Sequence, residues 1–205
     1  MQRRSHETRA RILDAAQTTF SKNGYDATGV AEICEAAGVS KGAFYHHFPT
    51  KHAVFMALLE GWLSGLDKAI NLIRQEKQDV PQTLIQMAGM VKQIFQSASG
   101  KLSIFFEFWS QASRDPVVWQ TTIAPYRRYQ AYFSTLMQEG IAEGSIKAVD
   151  AEMASRVILS LAVGILLQGF LDPQGANWED VAQLSMRYLM DGIARDEPLT
   201  AMRMS

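Results

Sequence analysis

Between Ser40 and Lys51 the chain gathers a set of side chains with one shared competence, hydrogen bonding to a nucleic-acid duplex: Lys41, Gly42, Ala43, Tyr45, His46, His47 and Lys51. A lysine at position 41 can donate to a guanine edge, while Gly42 and Ala43 let the backbone approach the groove floor and leave room for a thymine methyl. Tyr45, His47 and Lys51 are phosphate donors in kind, and phosphate donors fix register without reading sequence. The same histidines, with His52, also raise the question of a metal. No nearby cysteine or carboxylate completes a ligand set, so the imidazoles are read as phosphate contacts and no metal or cofactor is expected. The chain shows no nucleophile elbow, phosphate-binding loop, zinc spacing or dinucleotide fingerprint, and an enzyme is not expected.

These residues need a scaffold that presents them on one side. The stretch from Thr28 to Lys51, TGVAEICEAAGVSKGAFYHHFPTK, reads as two short helices joined by a tight turn. Thr28 is placed to cap the first helix, and Val30, Ile33 and Ala37 recur at helical spacing as its buried stripe. Gly38 must end that helix, because glycine reaches the left-handed conformation without a Cβ penalty. Ser40 caps the second helix, about Lys41 to His47, with Phe44 and Phe48 anchoring it from beneath. A preceding helix from about Glu7 to Lys22 carries Ile12, Ala16 and Phe20 on one stripe and stops at Asn23-Gly24. Thr50 caps a long fourth helix bearing Phe55, Leu59, Trp62, Leu63, Leu66 and Ile70 near one face.

With those residues in view, the stretch from about Thr8 to Leu59 resembles the DNA-binding domain of the TetR family of bacterial transcription regulators. The match lies at Arg11 to Ala16 (R-I-L-D-A-A), Phe20, Gly24-Tyr25, Ala36-Ala37-Gly38-Val39-Ser40, Tyr45, Phe48 and Lys51. The resemblance implies base-facing positions at Lys41, Gly42 and Ala43 and phosphate-contacting ones at Thr28, Tyr45, His47 and Lys51, with Ser40 and His46 on the same surface. The sequence departs from the family pattern at Gly29, where a threonine or serine is usual, and at Cys34, where alanine is common. The motif covers the first quarter of the chain.

The 205 residues, 47% apolar, suffice for a small DNA-binding domain and a larger core. Residues 1–52 hold seven basic and five acidic residues and all four histidines, whereas residues 53–205 hold thirteen basic and sixteen acidic ones. A nearly neutral protein with a mildly basic end suits localised phosphate contact, not general coating of nucleic acid or of a membrane. The segment MQRRSHETR carries no apolar run after its arginines, so a cytoplasmic protein is expected. The lone Cys34 excludes an intramolecular disulfide and is read as a buried structural thiol.

Helical periodicity continues through the rest of the chain, giving an all-α expectation: an N-terminal three-helix helix-turn-helix domain over 1–52, a larger helical effector-binding and dimerisation domain over 53–196, and a frayed tail over 197–205. Further helices are expected from Pro81 to about Ser99, from about Leu102 to Arg114, from about Val117 to Glu143 with a break or kink at Pro125, from an Asp150 cap to Phe170, and from an Asn177 cap to about Ile193. The run VILSLAVGILLQGFL is apolar on nearly every face yet, at about fifteen residues, short for a membrane span. It is expected to bury one face in its own domain and the other against a second copy of the chain. Leu161, Gly164, Ile165 and Gln168 would pair there with Val181, Leu184 and Tyr188 of the last helix in a four-helix dimer interface. A two-fold dimer spaces its recognition helices by roughly 34 to 36 Å or a larger multiple and calls for a palindromic operator.

Aromatic and methionine side chains are dense between Trp62 and Met137. Trp62, Leu66, Met87, Met90, Phe105, Phe108, Trp109, Trp119, Tyr126, Tyr129 and Phe133 form either a filled helical core or the walls of an apolar pocket for a small hydrophobic or aromatic molecule. Glu107, Arg127 and Arg128 fall on polar faces and name no ligand. The expected activity is that of a homodimeric repressor released from double-stranded DNA by a small-molecule effector of unknown identity. The alternative is a DNA-binding dimer whose second domain docks a protein partner instead.

Overall fold

The computed structural model describes residues 2–97, 106 and 116–193. The described residues are helical throughout, apart from turns and one isolated bridge at Ile146. In order, the helices are α1 (Gln2–Asn23), α2 (Val30–Ala37), α3 (Lys41–His47), α4 (Lys51–Arg74), α5 (Val80–Ala88), α6 (Val91–Ser97), α7 (Pro116–Glu143), α8 (Ala151–Leu171) and α9 (Trp178–Ile193). The described residues divide into two compact units, one holding 2–69, 106 and 116–120 and the other 70–97 and 121–193.

In the first unit α1, α2 and α3 pack on one another. Ile12, Ala16 and Phe20 of α1, Ile33 and Ala37 of α2, and Phe44 with Phe48 at the end of α3 are all buried, as their helical spacing predicts. Cys34 is buried on α2 and is a free thiol. The turn between α2 and α3 is built on Gly38, whose φ of 62° is left-handed; its N–H returns to the carbonyls of Cys34 and Glu35, and the Val39 N–H donates to Cys34 at 3.0 Å. This pairing closes the carbonyls that a helix end leaves open and turns the chain sharply enough for α3 to start at Lys41. Ser40 then accepts from the Ala43 N–H at 3.1 Å, and Thr50 does the same for Ala53 at 3.0 Å.

The expected cap at Thr28 does not form. The residue ahead of α2 is Gly29, in extended conformation and without a side-chain cap. The Thr28 hydroxyl turns inward instead, donating to the Gly24 carbonyl at 2.7 Å and to the Thr19 carbonyl at 3.3 Å, and the residue is 0% exposed. Asn23 donates to Glu32, so the loop is fastened by side chains on both flanks.

The second unit is organised around α9, which packs on α5, α6 and α8. Val91, Ile165 and Ala182 form a buried cluster, with Phe95, Leu161, Trp178 and Val181 laid against it. Two departures from the periodicity have local causes. The single helix expected from Pro81 is two, because the chain turns at Gly89 and Met90 between α5 and α6. The break expected at Pro125 is absent, since α7 runs unbroken from Pro116 to Glu143. Asp150 caps α8 as expected, accepting from the Glu152 and Met153 N–H groups. Asn177 precedes α9 but donates its amide to Asp180 at 2.7 Å. The helix expected over 102–114 falls, save for Phe106, outside the described residues, as do Glu107 and the tail. Arg74 at the end of α4 pairs with Glu139 at 2.6 Å, and the Lys147 N–H donates to the Ile193 carbonyl at 2.8 Å.

At Gly38 an alanine would have to hold a left-handed backbone, which costs about 1–2 kcal/mol. Gly38→Ala is expected to lower unfolding stability by that amount in urea titration, and to weaken DNA binding more than stability alone explains because α3 loses its orientation.

Candidate DNA-binding surface

α3 presents its two sides unequally. Phe44 is fully buried and Phe48 nearly so, while Lys41, Gly42, Tyr45 and His46 are exposed and Ala43 and His47 half-exposed. The phenylalanine pair, with ring centroids 6.2 Å apart, pins the helix from below, so the outward residues are those whose chemistry suits a groove. An added Cβ at Gly42 would meet nothing nearer than the Ser40 hydroxyl at 3.8 Å. The glycine is therefore not demanded by packing within the chain, and its smallness serves the outer side. Ser40 is occupied in capping. Among the described residues no three histidine, cysteine or acidic side chains converge as a metal site.

Lys51 does something other than its spacing suggests. Its ammonium donates to the Tyr25 carbonyl at 2.6 Å, the Thr28 carbonyl at 2.9 Å and the Asp26 carbonyl at 3.3 Å, and lies 4.3 Å from the Tyr25 ring centroid. A lysine has three N–H donors, and all are directed at the loop between α1 and α2. In the free chain the Lys51 charge thus orders carbonyls that have no helical partner, and the phosphate contact expected of it would compete with them. The same holds for Thr28, whose hydroxyl is buried and donated inward, so its expected phosphate contact is withdrawn. Both residues stand at plausible sequence positions, but spacing alone does not say which way a side chain turns.

Arg9 was not singled out by the sequence pattern. It is exposed on α1, and its guanidinium lies 5.1 Å from the Phe48 ring centroid. Burial, then the neighbouring His46 and Arg9 charges, hold the His47 imidazole below its ordinary value of 6.5. Its only available signal was its place on an exposed face of α1, and nothing in the chain spacing tied it to α3.

The expected pocket residues fare differently and are divided between the two units, Trp62, Leu66 and Trp119 falling in the first. Met87 and Met90 are buried core, Trp62, Leu66, Tyr126, Tyr129 and Phe133 are half-buried, and Phe105, Phe108 and Trp109 lie outside the described residues. Trp119 is 48% exposed, which departs from the expectation of a pocket wall. Arg127 and Arg128 are exposed, Arg128 lying over the Tyr129 ring. Tyr132, absent from the expected set, has a buried hydroxyl with no hydrogen-bond partner among the described residues, and burial raises its phenol above the usual value. Of the expected dimer residues, Ile165 is corrected to core at 4% exposure, and Leu161 and Val181 pack against that core. Gly164 faces open space, Gln168 is exposed, and Leu184 and Tyr188 are 48% and 68% exposed. Met153, Val157, Leu167 and Leu171 extend this exposed apolar surface along α8 among the described residues. α8 is also long and apolar enough to cross a membrane, twenty-one residues against the shorter run read from sequence. Its contacts with α9 account for one side of that character.

Lys51→Met should lower unfolding stability by about 1–3 kcal/mol in urea titration, the scale of a charged hydrogen-bond set left open. For His47, a phosphate contact would raise its value in the complex above that of the free protein. Binding would then take up a proton, so affinity should climb as pH falls through the bound-state value and level off below the free-state one. Duplex titrations across that range are expected to show the rise in the wild type and a flatter profile in His47→Gln.

Known proteins resemble this chain in both of its parts. Residues 12–58 match the bacterial regulatory proteins of the tetR family, and residues 86–194 match the C-terminal domain of BetI-type transcriptional repressors. The regulator UidR of Escherichia coli is 26% identical over 167 residues, covering 81% of this chain and 83% of that protein. Salmonella enterica GusR superposes with a TM-score of 0.71 at 26% identity, covering 90% of this chain and 95% of the other. Bacillus subtilis FadR in complex with stearoyl-CoA has a TM-score of 0.75 at 20% identity, covering 90% and 98%, which speaks to fold. With a helix-turn-helix at one end and a repressor-type helical domain matching more than half its length, the chain belongs to the TetR family of DNA-binding transcription regulators and is not an enzyme.

Proposed function

We propose that this protein is a homodimeric repressor that leaves a palindromic operator when a small apolar or aromatic molecule binds its second domain. DNA binding is assigned to residues 1–52 and effector binding with dimerisation to 53–196. Ser40 caps the reading helix, Lys41, Gly42 and Ala43 meet base edges, and Tyr45, His46 and His47 meet the backbone. The observation that carries the dimer is the uncovered apolar stripe on α8 and α9. Met153, Val157, Gly164, Gln168 and Leu171 recur at helical spacing on one side of α8, and Leu184 with Tyr188 stand one turn apart on α9. A stripe of this composition in water is unfavourable, and the same stripe on a second copy is its natural cover. A cytoplasmic location follows from that role, with α8 buried by pairing instead of by lipid.

The effector reading rests on α7, where Tyr126, Tyr129 and Phe133 share a half-buried side and Tyr132 carries its unmet hydroxyl at the edge of it. A buried phenol without an acceptor is costly, and an effector bearing a hydrogen-bond acceptor would satisfy it. A fold neighbour in complex with stearoyl-CoA supports a small-molecule effector for the domain. Release follows from linkage: an effector that prefers the spacing of the two heads unable to engage DNA weakens operator affinity by that same preference. A protein partner seated on the α8–α9 stripe is the other reading of the same surface, and it predicts a monomer in the absence of that partner.

Selecting genomic fragments with the purified full chain, then repeating the selection with metabolite pools, tests the regulator and its effector together; recovery of no preferred, palindromic sequence would reject the reading. Sedimentation tests the dimer. Leu184→Asp combined with Tyr188→Asp is expected to yield a folded monomer whose operator affinity drops by about 10² or more, as the second head no longer binds at high effective concentration.

A further inference from the structure

Three tyrosines at intervals of three residues on α7 step round the helix by about 60° each, and their hydroxyls are treated differently. Tyr126 is a hydrogen-bond partner of Arg156, which also pairs with Glu152 at 2.7 Å. Tyr129 accepts from Arg128 at 3.3 Å. The Tyr132 hydroxyl is buried and has no partner among the described residues, while its ring, half-buried, lies 5.4 Å from that of Phe133. Native chains leave few such groups unmet, because a buried donor forfeits its bond to water and gains nothing in return. Phenylalanine would offer the same ring without that cost, so the oxygen points to a partner that binds.

The surroundings restrict the charge of that partner. Burial keeps the Tyr132 phenol protonated, and the charges of Arg74 and Glu139 act on it in opposite directions. Those two groups form an ion pair of 2.6 Å within the unit. An ionised head group would give up its hydration beside a pair whose net charge is zero, and nothing there compensates the loss. A cation also meets the Arg128 guanidinium, which lies 5.0 Å from the Tyr129 ring centroid and repels a second positive group from that face. An uncharged oxygen gives up much less hydration and accepts from the phenol directly.

We propose that Tyr132 is the polar anchor of the effector site in the second unit, and that the ligand is an uncharged molecule with an apolar body and a carbonyl, ether or hydroxyl oxygen. The half-buried side of Tyr126, Tyr129 and Phe133 receives the body. The phenol orients the ligand and discriminates against the same shape without oxygen, since such a molecule leaves the donor unmet in the complex too. The Arg74–Glu139 pair selects against acids and amines. This inference rests on the effector reading proposed above and adds to it the charge of the ligand and the residue that reads it.

Four naphthalene probes of similar shape test it on the full chain by equilibrium dialysis: 2-acetylnaphthalene, its oxygen-free isostere 2-isopropenylnaphthalene, 2-naphthoate and 2-naphthyltrimethylammonium. The ketone should bind about tenfold tighter than the alkene, the scale of one hydrogen bond to a group otherwise unmet, and tighter than either ion. Tyr132→Phe should erase the advantage over the alkene by weakening the ketone alone, and its thermal midpoint should equal or exceed the wild-type one. Glu139→Gln, which leaves the Arg74 charge unmatched, should raise the affinity for naphthoate. Equal binding of ketone and alkene would overturn the anchor, as would a ketone preference that persists in folded Tyr132→Phe or a lowered midpoint in that variant. A wild-type protein that takes either ion as tightly as the ketone, or a Glu139→Gln variant indifferent to naphthoate, would overturn the selection by charge. Binding of none of the four would instead reject the effector reading itself.

Discussion

The ammonium of Lys51 lies at the junction of everything the first unit does. The loop from Gly24 to Gly29 leaves α1 and enters α2 through carbonyls that no helix can satisfy, and three of them converge on this one group. Its partner surface, the Tyr25 ring, packs in turn on Phe20 and Phe55, with centroids 5.2 Å and 5.5 Å away. One charge thus fastens the first residue of α4 to the connection between the two preceding helices. The orientation of α3 depends on that fastening, since α3 packs on α1 and α2. The contribution is larger than that of a surface ion pair, because the ammonium meets several fixed dipoles whose alternative is partly buried and unpaired.

The first unit was largely legible in the chain because its signals are short-range. The Gly38 turn, the Ser40 and Thr50 caps and the Phe44/Phe48 pair each depend on neighbours within a few positions, where residue type nearly determines geometry. Thr28, Lys51 and Arg9 mark where that legibility ended. Each is governed by a group further off in the chain: Thr28 in part by Thr19, Lys51 by Tyr25 to Thr28, Arg9 by Phe48. A polar side chain at a surface-compatible position has two destinations, and periodicity does not choose between them.

In the second unit the difficulty was one of face. α8 is apolar nearly all round, so its pattern cannot say which side meets the core. Ile165 proved to be core and Leu184 exposed because α9 lies across α8 at the cluster of Val91, Ile165 and Ala182, a placement no single helix encodes. Gly89 and Pro125 show the converse error, in which residue type was trusted too evenly. Glycine interrupted a helix that periodicity carried through, and proline did not interrupt one, since α7 continues through Pro125.

The chain's one sulfhydryl lies on α2, closed off beneath the reading head. Thiol reagents attack only a thiolate that solvent can reach, so in the closed head the group is silent. Its labelling rate becomes a clock for transient opening, and any duplex that clasps the head should slow that clock without touching the sulfur. Nature has left a single-atom reporter in the part of the molecule whose breathing matters most.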